Sequence, residues 1–214
     1  MIERWALISG LKGDLDTYEL IQKDLKKTPG NITLFVLGDM IGPSKNCNAL
    51  LNRLINPKSN ELRPQCIYGW WEEQLLAETG YRGNQRAEAL RINEGEEVVK
   101  SLLSSVDESF LNWLASLQFG FVELDCGLIH GSSRDVGDDL TSETPPLTLL
   151  DRLTRLQVNR LFTARSKQQF HLELKEGIVN SEEENLNGNR KKEQKVPQKL
   201  LLVLGQEKII LFMM

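Results

Sequence analysis

Hydrophobic residues in this chain come in short unbroken runs that stop at glycine. Thr33-Leu34-Phe35-Val36-Leu37 reads as a strand buried on both faces, ending at Gly38-Asp39 and the Gly42-Pro43 breaker. Before it, Trp5–Ser9 reads as a first strand and Gly10-Leu11-Lys12-Gly13 as a tight turn. Asp14 reads as the N-cap of a helix reaching about Lys27, with Leu15, Tyr18, Leu20, Ile21 and Leu25 as its apolar stripe. Pro29-Gly30-Asn31 ends that helix. Strand, helix and strand in this order predict a right-handed crossover between parallel strands, whose carboxyl ends then lie along one edge.

The pattern repeats downstream. A second helix is predicted over Cys47–Ile55, a short strand over Cys66–Tyr68, and a further helix from Gly69-Trp70-Trp71-Glu72-Glu73. Helical spacing returns from Gln85 to about Ser104 and from Asp107 to Leu117, as a cap or flanking layer. Phe119–Leu124 and Cys126–Ile129 predict a hairpin turning near Asp125, whose second strand ends in His130-Gly131-Ser132-Ser133. Leu147–Leu156 is predicted helical. Arg160–Phe162 and Gln169–Leu174 are predicted strands around Thr163-Ala164-Arg165-Ser166, with His171 facing outward. From Glu176 to Pro197 the acidic run at Glu182 and the basic run Arg190-Lys191-Lys192 predict a mobile loop. Leu200–Leu204 and Ile209–Met214 predict a final hairpin, whose apolar end either pairs at a sheet edge or drives association.

Composition narrows the classes. The 214 residues suffice for one α/β domain with a substantial core. A net charge of -4 gives no general attraction to nucleic acid or anionic membrane. Cys47, Cys66 and Cys126 are odd in number and form no Cys-x-x-Cys pair, which speaks against a disulfide framework or zinc knuckle and for a reducing cytoplasm. The apolar run after Met1 is too short for a signal peptide or a membrane span. Asp39 lies where open α/β sheets bind ligands. Asp after Gly at a strand end also serves as a turn or helix-capping residue, and both readings stand at this point.

With these pieces located, the chain resembles the calcineurin-like metallophosphoesterases over most of its length. That family carries Asp-x-His-Gly-Asn, Gly-Asp-x-x-x-x-Gly-Pro, Gly-Asn-His-Glu, a His-Gly pair and Gly-His-Thr-His, each at a strand end. Here, in the same order, stand Gly10-Leu11-Lys12-Gly13-Asp14, Gly38-Asp39-Met40-Ile41-Gly42-Pro43, Gly69-Trp70-Trp71-Glu72, His130-Gly131-Ser132 and Thr163-Ala164-Arg165-Ser166. The resemblance implies a two-sheet α/β sandwich over residues 1–214 as a single domain. In the family, two metal ions bridge a phosphate and activate water for in-line attack. Asp39 takes the place of the metal-bridging aspartate and His130 that of the histidine after the fourth strand. Gly10 and Lys12 replace the first Asp and His, Trp70 and Trp71 replace the Asn and His of the third block, and the last block has no imidazole. The C-terminus departs as well: Val203-Leu204-Gly205-Gln206-Glu207-Lys208 replaces the family's turn, so the last hairpin reads as truncated or altered.

A transition metal held at working strength needs three or more N or O ligands. Lys12 and Arg165 would moreover place positive charge where the cation belongs. Two readings of these residues stay open. Lys12 and Arg165, with the N–H groups of the Gly10–Asp14 turn, could form a metal-free anion pocket, or both could be solvated loop residues. Trp70-Trp71 could be a stacking platform, or one ring could lie in the core with the other filling a cleft. Glu72 and Glu73 suit a helix N-terminus. The expected function is a non-catalytic metallophosphoesterase relative, needing no cofactor, that binds a phosphate-containing small molecule or a protein partner. The alternative is a phosphatase or phosphodiesterase using Mn, Zn or Fe at Asp39 and His130, joined by Glu72, Asp14 or Asp16. A third reading is a scaffold protein using the helical region from Gln85 to Leu117.

Overall fold

A computed structural model describes residues 3–43, 47–82, 87–166, 170–175, 178–182, 200–203 and 210–213. The chain is mixed α/β, with two sheets and seven α-helices among the described residues. It divides into two compact units, Met1–Phe119 with Glu207–Met214, and Gly120–Gln206.

The first unit is built on β1 (Glu3–Ile8), β2 (Asn31–Leu37) and β3 (Pro64–Ile67). These strands are mutually parallel, as the intervening helices require. The connections carry α1 (Leu15–Leu25) and α2 (Cys47–Ile55), and α3 (Trp70–Glu78) leaves the end of β3. Ala6, Ile8, Leu34 and Val36 of the sheet join Tyr18, Ile21, Leu50 and Leu54 in one apolar cluster. Leu20 is 61% exposed and lies outside the predicted stripe. Its place is taken by Gln22, whose buried amide donates to the Tyr18 hydroxyl at 2.7 Å and the Leu62 carbonyl at 2.9 Å. A buried amide with its partners supplied costs little, so a polar residue can hold a core position.

The predicted helix over 85–104 is two helices, α4 (Glu88–Glu94) and α5 (Glu96–Ser105). Gly95 breaks it with φ 88, which no helical residue adopts. A 3-10 turn (Glu108–Phe110) and α6 (Leu111–Ser116) follow. Leu90, Leu102 and Leu114 tie these helices to the same core.

The second unit contains the predicted hairpin, β4 (Gly120–Glu123) with β5 (Cys126–Ile129). It continues through α7 (Pro146–Leu156), β6 (Arg160–Thr163), β7 (Phe170–Lys175), β8 (Ile178–Glu182) and β9 (Leu200–Val203). The sheet order is β4-β5-β6-β9-β7-β8. Two expectations are corrected here. Residues 178–182, expected within a mobile loop, pair antiparallel with β7, because a strand beside an open edge satisfies its backbone groups; residues 183–199 lie outside the described residues. The predicted final hairpin does not form either: β9 pairs with β6 and β7, whereas β10 (Ile210–Met213) pairs antiparallel with β1 in the other sheet. The apolar C-terminal stretch thus occupies a sheet edge, one of its two expected fates. No helix of the described residues is long and apolar enough to cross a membrane.

Candidate functional site

In the first unit the site predicted from sequence is the set of loops at the carboxyl ends of β1, β2 and β3. Strand β2 is followed by two left-handed residues, Gly38 at φ 76 and Asp39 at φ 53. A Cβ on Gly38 would lie 2.4 Å from the backbone of Gly69, and one on Gly69 would lie 2.4 Å from the Asp39 nitrogen. The two loops touch backbone to backbone, and only glycine allows the approach.

Polar contacts fasten this junction. Glu72, fully buried, accepts the N–H groups of Asp39 (2.9 Å), Ile41 (2.9 Å) and Gly69 (2.7 Å) with its two carboxylate oxygens. Asp39, also fully buried, accepts the Trp71 N–H at 3.1 Å. Burial pushes the Glu72 carboxyl up to about 7, the neighbouring Asp39 charge pushes the same way, and the three N–H donors pull it back. The Glu72 contacts to Gly69 and across to the β2 loop are a role that the helix-dipole reading missed. Its signal was local: Gly69-x-x-Glu72 has capping-box spacing.

The turn after β1 is bound to the same loop. Gly10, Lys12 and Gly13 donate their N–H groups to the carbonyls of Gly38, Asp39 and Met40, and Asp14 donates to Leu11. Ser9 donates its hydroxyl to the carbonyls of Leu37 and Gly38. This corrects the backbone part of one of the two readings: the N–H groups of Gly10, Lys12, Gly13 and Asp14, offered there to an anion, are taken up by backbone carbonyls. Lys12 is half-buried in a left-handed conformation, φ 46, with its Cβ 3.1 Å from where a Gly42 Cβ would stand. Asp14 is the exposed N-cap of α1, accepting from the Thr17 backbone at 2.9 Å and the Thr17 hydroxyl at 2.6 Å; Asp16 is exposed in the first turn. The stacking platform is also corrected. Trp70 and Trp71 are 5% and 7% exposed and pack edge to face at 5.1 Å, so neither offers a free face.

In the second unit His130 directly follows β5 and is fully buried. Its carbonyl accepts from the N–H groups of Ala164 and Arg165, both at 2.8 Å, and from the Thr163 hydroxyl at 2.7 Å. The loops after β5 and β6 are therefore joined, with the Arg165 side chain half-buried. Gly131 is obligatory, because a Cβ there would meet the Asp135 carbonyl at 2.3 Å. Ser132 donates to the Asp138 carboxylate, which also accepts from Arg152 at 2.9 Å and so ties this loop to α7. Among the described residues, no group of three or more His, Cys, Asp or Glu side chains is arranged to hold a metal ion.

No protein-family model matches the sequence, and no curated protein does. Solved structures match across nearly the whole chain. A metallophosphoesterase from Sphaerobacter thermophilus superposes with a TM-score of 0.63 at 12% identity, covering 99% of this chain and 84% of that one. A hypothetical protein from Pyrococcus horikoshii gives 0.63 at 11%, with 95% and 76% covered. A cold-active protein-tyrosine phosphatase of a psychrophilic Shewanella gives 0.54 at 12%, with 99% and 75% covered. Parallel strands ending in Gly-Asp and Gly-Trp loops, a second sheet entered through a hairpin that ends in His-Gly, and these superpositions lead to one conclusion: the fold is that of the calcineurin-like metallophosphoesterases.

Proposed function

We propose that this chain is a divergent, non-catalytic relative of the calcineurin-like metallophosphoesterases that acts by binding a phosphate-containing ligand or a protein partner. The observation that carries the reading is the engagement of the two buried carboxylates at the strand ends: Glu72 holds three backbone N–H groups and Asp39 holds one. Gly10 and Lys12 stand where the family has Asp and His. The residues present do not fit a two-metal centre, since Asp39 and His130 are the ligand positions retained and such a site needs three or more ligands per ion. Lys12 of the first unit and Arg165 of the second are each a candidate cation for a phosphate group, Arg165 by a bidentate contact. We assign the protein to the cytoplasm on the strength of its three free thiols.

The metal-dependent phosphoesterase reading has one observation in its favour. A fully buried Asp39 held at φ 53 is backbone strain of the kind that gathers at functional sites. Against it, Asp14 is a helix cap and both Glu72 oxygens are occupied.

Elemental analysis of protein purified without chelator, with Mn²⁺ and Zn²⁺ titrated into wild type and an Asp39→Asn, His130→Gln variant, separates the readings. Phosphate should raise the melting temperature of wild type but not of Arg165→Ala or Lys12→Ala. Stoichiometric metal lost in the double variant, together with turnover of bis(p-nitrophenyl) phosphate, would establish the enzyme instead. Neither response would leave the protein-partner form of the proposal.

A further inference from the structure

Apart from the strand ends, the last turns of α3 and α5 and the chain from Val106 to Leu111 border an open groove of about 540 Å³. Its lining mixes apolar and polar side chains. Leu75, Val106 and Leu111 are buried, while Leu103 and Tyr81 remain 38% and 40% exposed.

The electrostatics of the groove have one sign. Neither α3 nor α5 carries a basic residue in its last turn, and a helix C-terminus carries roughly half a negative charge. Exposed Asp107 and Glu108 add two carboxylates, and no lining residue is basic. The Asp107 side chain makes no capping hydrogen bond to the 3-10 turn that follows it. The partly exposed Leu103 and Tyr81 beside this negative rim are complementary to a segment that carries a large apolar side chain next to Lys or Arg.

We propose that this groove docks a basic, apolar-anchored segment of a protein partner. A Leu- or Phe-sized side chain of the partner packs on Leu103 and Tyr81, and a flanking Lys or Arg meets Asp107 and Glu108. The groove shares no residue with the strand-end loops. Its test is therefore read separately from the phosphate and metal experiments.

The test is a phage-displayed library of short random peptides panned on the full chain. Selected peptides should carry net positive charge around a large apolar residue. They should bind Asp107→Lys, Glu108→Lys protein about tenfold more weakly and lose binding to Leu103→Asp, while both variants melt like wild type. On the isotope-labelled chain they should shift the NMR signals of Thr79, Tyr81 and Ser104. Acidic or neutral peptides, unchanged binding to both variants, shifts confined to other residues, or no enrichment at all would overturn the proposal.

Discussion

Glu72 and Asp39 are linked through each other's backbone in spite of their like charge: the Glu72 carboxylate accepts the Asp39 N–H at 2.9 Å while the Asp39 carboxylate accepts the N–H of Trp71, next to Glu72, at 3.1 Å. Each acid holds the other's loop. The arrangement makes one side chain the keystone of the β2 and β3 ends, because Glu72 also holds Ile41 and Gly69.

Glu72→Ala removes the acceptor from three buried N–H groups, each costing about 1–3 kcal/mol when left unsatisfied. The costs overlap, so a total loss of about 3–5 kcal/mol is expected. Glu72→Gln keeps the shape and one carbonyl oxygen and should lose roughly half as much. Urea denaturation midpoints of the two variants against wild type check both values.

The same group sets a pH dependence. Burial and the Asp39 charge raise its carboxyl from 4.5 in the unfolded chain to about 7 in the folded one. Between those values the folded state holds a proton that the unfolded state has released. The Glu72 contribution to stability is therefore fully present below pH 4.5 and is lost as pH rises through about 7. Denaturation midpoints measured across this range should fall with pH in wild type and flatten in Glu72→Gln; a rise, or the same slope in both proteins, would contradict the assignment.

At the loop junction, Gly38→Ala and Gly69→Ala each drive a methyl to 2.4 Å from backbone atoms that cannot move aside. Each should cost at least about 3 kcal/mol or prevent soluble expression. Gly80→Ala meets nothing within 4 Å although φ is also positive, at +78. It should cost only about 1 kcal/mol. Thermal melts of the three variants separate collision from backbone strain.

Asp14→Ala should cost about 1 kcal/mol, the usual value of an N-cap. The Thr17 hydroxyl and backbone N–H hold the Asp14 carboxyl below its ordinary 3.8. Its stabilisation is thus present above pH 3.8 and disappears as pH falls further, the opposite sense to Glu72. Comparing acid unfolding of wild type and Asp14→Ala checks the sign.

Much of the fold was written locally. The N-cap at Asp14, the α2 boundaries and the β4–β5 hairpin follow from periodicity and turn chemistry within a few residues. Gly95 shows the limit of that signal: Glu88–Ser105 has helical composition, and one residue at φ 88 divides it. Leu20 and Gln22 show another. Which of them is buried depends on the Leu62 backbone, forty positions away, which offers Gln22 both a donor and an acceptor.

By itself the sequence determined the α/β class and the order of the glycine-terminated strand ends, because these depend on residue type and spacing along the chain. The tertiary structure alone decided that β9 and β10 enter different sheets. It also decided that the amides of Gly10, Lys12, Gly13 and Asp14 are taken by carbonyls, and that Glu72 binds the loops rather than only favouring a helix dipole. The reason is physical. Sheet partnership and the satisfaction of buried polar groups depend on which backbone atoms arrive from distant parts of the chain, and no local pattern carries that information.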